Sequence, residues 1–468
     1  MKIIKKFQTI LKYNKIDIDQ SRRYYTTTFQ LEENAAQLCL EITQDSKDYA
    51  QLPIALYFNE EAIILKASDG QKGNYKYVYL IGERENTPGS IQGTLEKGEY
   101  TLVIYKRRMV EDIPIVIEVS AEKAEQFIKA EETTFDQIVK NKNPGWYRGE
   151  LHVHSSQSTG RVEISTLLEF CTAHNIDFIA ITDHFTASHW QAIQKAITKD
   201  SPLCLKSVEI SGDKGHMNAH GLTHWLNPLV DDNENLPFKE KPSMTSIAKQ
   251  VHKMGGFVSV NHPLSGLVSW HYPDFDMKEA DALEIWCTAD YQTTFLYPTF
   301  WDQYLKQGLH LTGIGSSDSH HPTAIDGWLM GNIFTVVKAR ELSQKAIIEG
   351  IKQGHCYVAM GSSQLRFYAK DNNNTYEMGD TIKGEEDVTF FVELITHPSG
   401  HLIIYRDGFQ ETCVYFEQGE CNIYTFTIPK FKYCRIEFHE DLVKTRFWGM
   451  VYRDYKSMRL LSNPIWHE

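Results

Sequence analysis

The sequence predicts an α/β protein with all-β segments on either side of its centre. Three observations carry this. Residues 145–361 alternate short apolar runs with helix-length amphipathic stretches, the pattern of parallel strands covered by helices, in a closed or an open sheet. Residues 1–140 and 362–468 read instead as strand after strand separated by turn residues. Fourteen of the nineteen histidines lie between His152 and His321, so the centre differs from its flanks in chemistry as well as in pattern. At 468 residues the chain exceeds one ordinary core, and three domains with these boundaries are expected.

In chain order, Leu38–Ile42, Ile54–Phe58, Lys76–Ile81, Tyr100–Tyr105 and Ile115–Val119 are short runs rich in β-branched and aromatic residues. Turn residues such as Thr87-Pro88-Gly89 and Lys97-Gly98 separate them, as in a β-sandwich. Residues 121–140 are charged and helix-prone, and read as a connector that stops before Asn143-Pro144-Gly145. In the centre, helices are expected over 163–174, 187–198, 243–254, 299–307 and 342–352. Strands are expected over 150–154, 178–182, 203–208, 256–260, 282–286, 310–314 and 332–337. Strands return at Leu365–Tyr368, Val388–Leu394, His401–Tyr405, Ile423–Thr427 and Tyr433–Phe438, a second and smaller β-domain.

Composition narrows the function classes. Hydrophobic and charged fractions of 42% and 23% are those of a globular protein. A net charge of -13 disfavours nucleic acid or a membrane surface as partner, while leaving small anionic substrates open. The N-terminus lacks the apolar core and cleavage site of a signal peptide, and no run approaches a membrane span, so a cytoplasmic location is expected. The eight cysteines are scattered with no C-x-x-C and read as buried thiols.

Candidate chemistry gathers at the C-terminal ends of the central strands, where active sites form in parallel α/β folds. His152 and His154 share one face of a strand and can hold one metal ion together. Asp183 and His184 follow the strand ending at Thr182, and Glu209 follows Val208. Asn261 and His262 follow Val260, and Asp318 and His320 follow the run that ends at Ser317. Buried polar groups at five strand ends would each cost about 1–3 kcal/mol unless paired, and a shared metal cluster gives them a common reason. In Gly215–His220, extended backbone would put His216, Asn218 and His220 on one face, leaving two candidate histidines. His174, His189, His224 and His252 have no motif around them, and an ordinary surface or helix-face histidine is the simpler reading. Arg148, Arg161 and Lys214 lie near motif segments and could meet an anionic substrate, although exposed charge explains them as well. No G-x-S-x-G or Cys/His pair competes as a nucleophile.

These segments resemble the PHP metallohydrolase family, and within it the CehA/McbA-type branch that includes carbaryl hydrolase. The resemblance rests on Gly149-Glu-Leu-His-Val-His154, Ile181-Thr-Asp-His184, Val208-Glu209 with Gly215-His-Met-Asn218, Asn261-His-Pro263 and Ser316-Ser-Asp-Ser-His320. It extends to Gly354-His-Cys-Tyr357 and Ser462-Asn-Pro-Ile-Trp466. It implies a distorted (β/α)7 PHP barrel flanked by the two β-domains, with metal at the strand ends. One ion would take His152, His154, Glu209 and Asp318, and a second would share Glu209 and add His262 and His216. A third would use His184 and His320 with a His or Asp that Ser158-Thr159-Gly160 replaces here, so two ions are expected rather than three. His184 and His320 are then free to bind substrate or shuttle protons. Asp183, grouped with them as a catalytic candidate, is read as capping the turn or orienting a ligand histidine.

The implied activity is hydrolysis by metal-activated water, with Zn, Mn or Fe suiting the mixed imidazole and carboxylate ligands. The substrate expected is a small anionic phosphoester. A carboxylic ester, carbamate or amide on the same site is the alternative. A binding protein with a vestigial site is the lesser one. Homo-oligomerisation is left open.

Overall fold

A computed structural model describes residues 1–13, 24–59, 61–66, 71–106, 109–129, 132–212, 214–228, 230, 242–290, 293–321, 330–384, 388–441, 446–447, 450–451 and 457–468. The N-terminal strands are β1 (Lys2–Leu11), β2 (Tyr24–Leu31), β3 (Ala35–Ala50), β4 (Ile54–Phe58), β5 (Glu61–Lys66), β6 (Gln71–Gly82), β7 (Gly98–Tyr105) and β8 (Ile113–Lys123). They form two four-stranded antiparallel sheets, β1-β8-β3-β6 and β2-β7-β4-β5. Alternate residues such as Leu38, Leu40 and Ile42 on one sheet and Leu56, Leu102 and Ile104 on the other are buried in one shared core. Residues 121–140 do not form the expected helix. β8 runs to Lys123, and among the described residues only a 3-10 turn, Phe135–Gln137, and the start of a short strand at Val139 follow. Phe135 is buried in the central core, and the Thr133 carbonyl accepts from Lys206 Nζ, which pins the segment across the next sheet.

The centre follows the expected order: β9 (Val139–Asn141), β10 (Gly145–Val153), α1 (Ile164–Ala173), β11 (Phe178–Ile181), α2 (Ser188–Ala196), β12 (Leu203–Gly212), β13 (Gly215–His220), α3 (Met244–Lys253), β14 (Phe257–Val260), β15 (Ala282–Cys287), α4 (Tyr297–Leu305), β16 (Thr312–Ser316), β17 (Ile333–Ala339), β18 (Leu342–Ser343), α5 (Gln344–Lys352) and β19 (Cys356–Met360). Helix starts follow local chemistry: Ser243 caps α3 in a capping box with Ser246, and Ser343 caps α5. β11 (Phe-Ile-Ala-Ile) is buried and apolar along its whole length, as a strand covered on both faces must be.

The ladder is mixed rather than wholly parallel. β10-β11-β12 and β14-β15-β16 are parallel runs, but β13 lies antiparallel between β12 and β14. Two residues join β12 to β13, too few for the crossover that a parallel pair requires. On the other flank β17 and β19 are also antiparallel neighbours. The sheet curves until Val153 and Ser319 form a single bridge.

The C-terminal strands are not set apart from this sheet. β20 (Gln364–Lys370), β21 (Thr375–Glu377), β22 (Thr381–Ile382), β23 (Thr389–His397), β24 (Gly400–Arg406), β25 (Phe409–Phe416), β26 (Gly419–Thr427) and β27 (Tyr433–Glu440) are followed by β28 (Arg446–Phe447), β29 (Met450–Val451), β30 (Met458–Ser462) and β31 (Ile465–His467). β19 pairs β30, and β30-β27-β24-β25 extend the central ladder into one 15-stranded sheet. The expected boundary at 362 is thus crossed by hydrogen bonds and by one apolar cluster that holds Val153, Phe390 and Phe438 alike. All eight cysteines are unpaired. Among the described residues no helix is long and apolar enough to cross a membrane.

Candidate metal centre

Each site side chain is delivered by a strand end. β10 carries His152, and His154 follows it directly, with Val153 turned into the core. β11 leads into Asp183 and His184, β12 carries Glu209, β13 carries His216, β14 leads into His262, and β16 leads into Asp318 and His320. Three non-glycine residues here hold left-handed backbone: Phe185 (φ 60°), His262 (φ 26°) and Asp318 (φ 50°). Such strain costs about 1–3 kcal/mol each and gathers at functional sites.

Glu209 is the centre of the arrangement and is fully buried. Its Oε2 lies 3.3 Å from His152 Nε2, 3.2 Å from His154 Nε2 and 3.0 Å from His184 Nδ1. Its Oε1 lies 3.0 Å from His216 Nδ1 and 3.6 Å from His262 Nε2, and accepts from Asn261 Nδ2 at 3.0 Å. Asp318 Oδ1 is 3.0 Å from His154 Nε2 and 3.3 Å from His152 Nε2. Four sets of donor atoms converge closely enough to hold an ion: His152/His154/Glu209, His152/His262/Asp318, Glu209/His216/His262 and His154/His184/His320. Every predicted ligand belongs to at least one set.

His216 and His220 part company through strand register. The β12–β13 ladder sets His216 against Ser211, Asn218 against Glu209 and His220 against Ser207. His216, toward the C-terminal end of β12, reaches Glu209, whereas His220, toward its start, bonds the Ser207 hydroxyl at 3.0 Å and stacks on Phe257. Asp183 accepts from Ser155 N at 2.8 Å and from the Ser155 and Ser158 hydroxyls, so it caps the turn after His154. Arg148 lies over the Phe334 ring and donates to the Gly361 carbonyl. Lys214 lies over Tyr272, and the Arg161 backbone N–H donates to the His320 carbonyl.

Two carboxylates went unassigned in the sequence. Glu284 on β15 accepts from His152 Nδ1 at 2.8 Å, from the His262 backbone N–H at 2.5 Å and from the Ser316 hydroxyl. Glu150 on β10 accepts from the Ser317 backbone N–H at 2.9 Å, and burial pushes its carboxyl up to about 8. Both are fully buried, and a buried carboxylate must find partners.

The electrostatics suit cations. Burial opposes charge on Glu209 and Asp318, yet the surrounding imidazoles hold both carboxylates well below the usual range. Burial likewise opposes charge on His154, but Asp318 and Glu209 push it up to about 9. Without an ion, protons must separate these converging acceptor atoms. Glu209 Oε2 and His154 Nδ1 are buried without a hydrogen-bond partner. A divalent ion would satisfy Glu209 Oε2 and take the place of the protons, so the residues fit a metal. His184 is lowered by burial, and His320 is lowered to about 4 by burial and neighbouring His154.

No family model matches the sequence, and no curated protein matches it. Among solved structures, the chain is similar to a two-domain protein from Bacteroides vulgatus that contains a predicted PHP-like metal-dependent phosphoesterase. The identity is 16%, over 72% of this chain and 100% of that one, with a TM-score of 0.41. An amidohydrolase from Chromobacterium violaceum with bound sulfate and no metal aligns at 15% identity, over 39% of this chain and 89% of that one, with a TM-score of 0.29. A protein from Bifidobacterium adolescentis assigned as a metal-dependent phosphoesterase aligns at 14% identity, over 40% and 94%, with a TM-score of 0.28. At this distance the likeness bears on neither substrate nor mechanism.

Proposed function

We propose that this chain is a metal-dependent hydrolase of PHP type that cleaves phosphoesters. The reading includes a distorted seven-stranded barrel formed by β10–β16 and three domains, 1–140, 145–361 and 362–468, the last two built on one continuous sheet. One observation carries it: both oxygens of buried Glu209 face imidazole nitrogens, Oε2 toward His152, His154 and His184 and Oε1 toward His216 and His262. A carboxylate so placed can bridge two ions. His152, His154, Glu209 and Asp318 would hold one ion, and Glu209, His216 and His262 the other. Divalent ions bound there would supply an activated water and Lewis-acid polarisation of the ester oxygen.

The chain's own groups do the positioning. Asp318 and Glu209 orient His152 and His154, and Asp183 holds the turn after them. His184 and His320 stand beside these ligands, where they could hydrogen-bond substrate or carry protons, and with His154 they form a donor set that could take a further ion. A cytoplasmic location and a small anionic substrate complete the reading.

Carbonyl hydrolysis stands as a second reading because of one observation. The lysine from the N-terminal sheets that reaches the turn after His154, Lys66, directs its ammonium to the Ser156 and Ser158 carbonyls. A neutral ester or carbamate asks for less positive charge than a phosphate. A paired assay on Mn- or Zn-loaded protein with a chelated control separates the two. One arm uses bis-p-nitrophenyl phosphate, the other a nitrophenyl carboxylic ester or aryl carbamate. Chelator-sensitive release from the phosphate is expected; release from the ester alone would move the protein to carbonyl chemistry. Protein that takes up no metal would overturn both.

A further inference from the structure

We infer that Glu284 is the positioning residue of the metal centre, holding His152 in one tautomer and tying three strand ends to one carboxylate; this rests on the metal-hydrolase reading above. Glu284 lies on β15, whose six residues are all buried, and it is not itself among the converging ligand atoms. Its Oε1 meets His152 Nδ1 at 2.8 Å and the Ser316 hydroxyl, and its Oε2 meets the His262 backbone N–H at 2.5 Å.

Glu284 accepts the His262 peptide N–H on one oxygen and the Ser316 hydroxyl on the other, so it meets His152 Nδ1 as an acceptor too. His152 Nδ1 must therefore carry a proton, and in the neutral ring the Nε2 lone pair is presented at 3.3 Å to Glu209 Oε2, Asp318 Oδ1 and His154 Nε2. A metal requires that tautomer. The same carboxylate restrains His262, whose left-handed φ of 26° is costly, at its own peptide N–H. Through Ser316 it also grips the end of β16, two residues before Asp318. One side chain thus fixes a ligand from the first, the middle and the last parallel segment of the site.

The test compares wild type with Glu284→Gln, which keeps the side-chain size but removes the charge and one acceptor oxygen. Mn2+ and Zn2+ affinities are read by calorimetry, and the Co2+-loaded forms by visible absorption. Glu284→Gln should bind about 10–100-fold more weakly, with altered Co2+ absorption, in protein that still melts cooperatively without metal. Unchanged affinity and spectrum would overturn the inference, as would a loss of metal-free stability with metal affinity intact. If Glu284→Gln does not fold, nitrogen NMR of wild type decides. A deshielded, downfield His152 Nδ1–H proton signal supports the tie, and a deprotonated Nδ1 in the metal-loaded protein overturns it. Wild type that takes up no metal would instead overturn the hydrolase reading on which this rests.

Discussion

Glu209 faces five imidazoles with two oxygens, so its replacement cannot be a local loss. Glu209→Gln should strip both proposed ions, reducing metal content toward zero and turnover by more than the 10–100-fold typical of an outer-shell change. Elemental analysis of dialysed protein reads the first effect and the paired assay the second. Full metal content in the variant would refute the bridging role. Replacing His152 or Asp318 with Ala should likewise abolish metal-dependent turnover, and retained activity in both variants would refute their assignment. At this scale the sequence spoke through spacing: H-x-H on a strand and His or carboxylate after four further strands. It was silent on Glu284, because a single Glu in Ala282-Leu-Glu-Ile-Trp-Cys287 looks like the polar face of an edge strand. Only the knowledge that this strand is covered on both faces turns that residue into one that must be paired.

Strand register decided what residue type could not. His216 and His220 share a face, and period-two alternation cannot rank them. The ladder sets Asn218 opposite Glu209 with one histidine on either side. His216 lies toward the C-terminal end of β12, where the site is, while His220 lies beside Ser207. The same dependence on close strand contact makes Gly149 informative. A Cβ there would lie 2.0 Å from the Phe178 ring, which is fully buried on the neighbouring β11. Gly149→Ala should push β10 away from β11 just before His152 and cost about 1–3 kcal/mol. A urea titration of metal-free protein reads the stability, and metal affinity should fall with it. A variant as stable as wild type would show that Phe178 gives way freely. Helices and most strands were legible from periodicity and caps, since those signals are local. The segment 121–140 was not, because its extended path is set by Phe135 in a distant core and by Lys206 holding the Thr133 carbonyl. Tertiary contacts there override a helix-prone composition.

Over the whole molecule, the least legible feature is how the C-terminal strands join the centre. Strand patterns at 365–438 are plain, but nothing local says that β30 will pair with β19. The joint is secured by a charged cluster, legible only as scattered residues. Arg435 on β27 is buried and grips Asp302 of α4 through Nε at 2.9 Å and Nη2 at 2.6 Å. Its Nη1 meets Glu437 at 2.7 Å, and Glu437 meets His439 at 3.0 Å. Burial opposes charge on Glu437, but Arg435 and His439 outweigh it and hold the carboxyl down at about 2. A carboxylate whose folded value lies below its unfolded one stabilises the fold at pH above the unfolded value, near 4.3. That contribution fades as pH falls from about 5 through about 2, where the folded carboxylate takes up its proton. Its full size is on the order of 3 kcal/mol, from two to three pH units at 1.36 kcal/mol each. Urea midpoints of metal-free protein at pH 6 and pH 3 should therefore fall steeply in wild type. Glu437→Gln should start lower at pH 6 and lose less on acidification, while Asp302→Asn, which strands part of the Arg435 charge, should lose about 3–5 kcal/mol at pH 6. Parallel pH slopes in wild type and Glu437→Gln would place the acid sensitivity elsewhere, and an unaffected Asp302→Asn would mean that the strand ladder alone carries the joint.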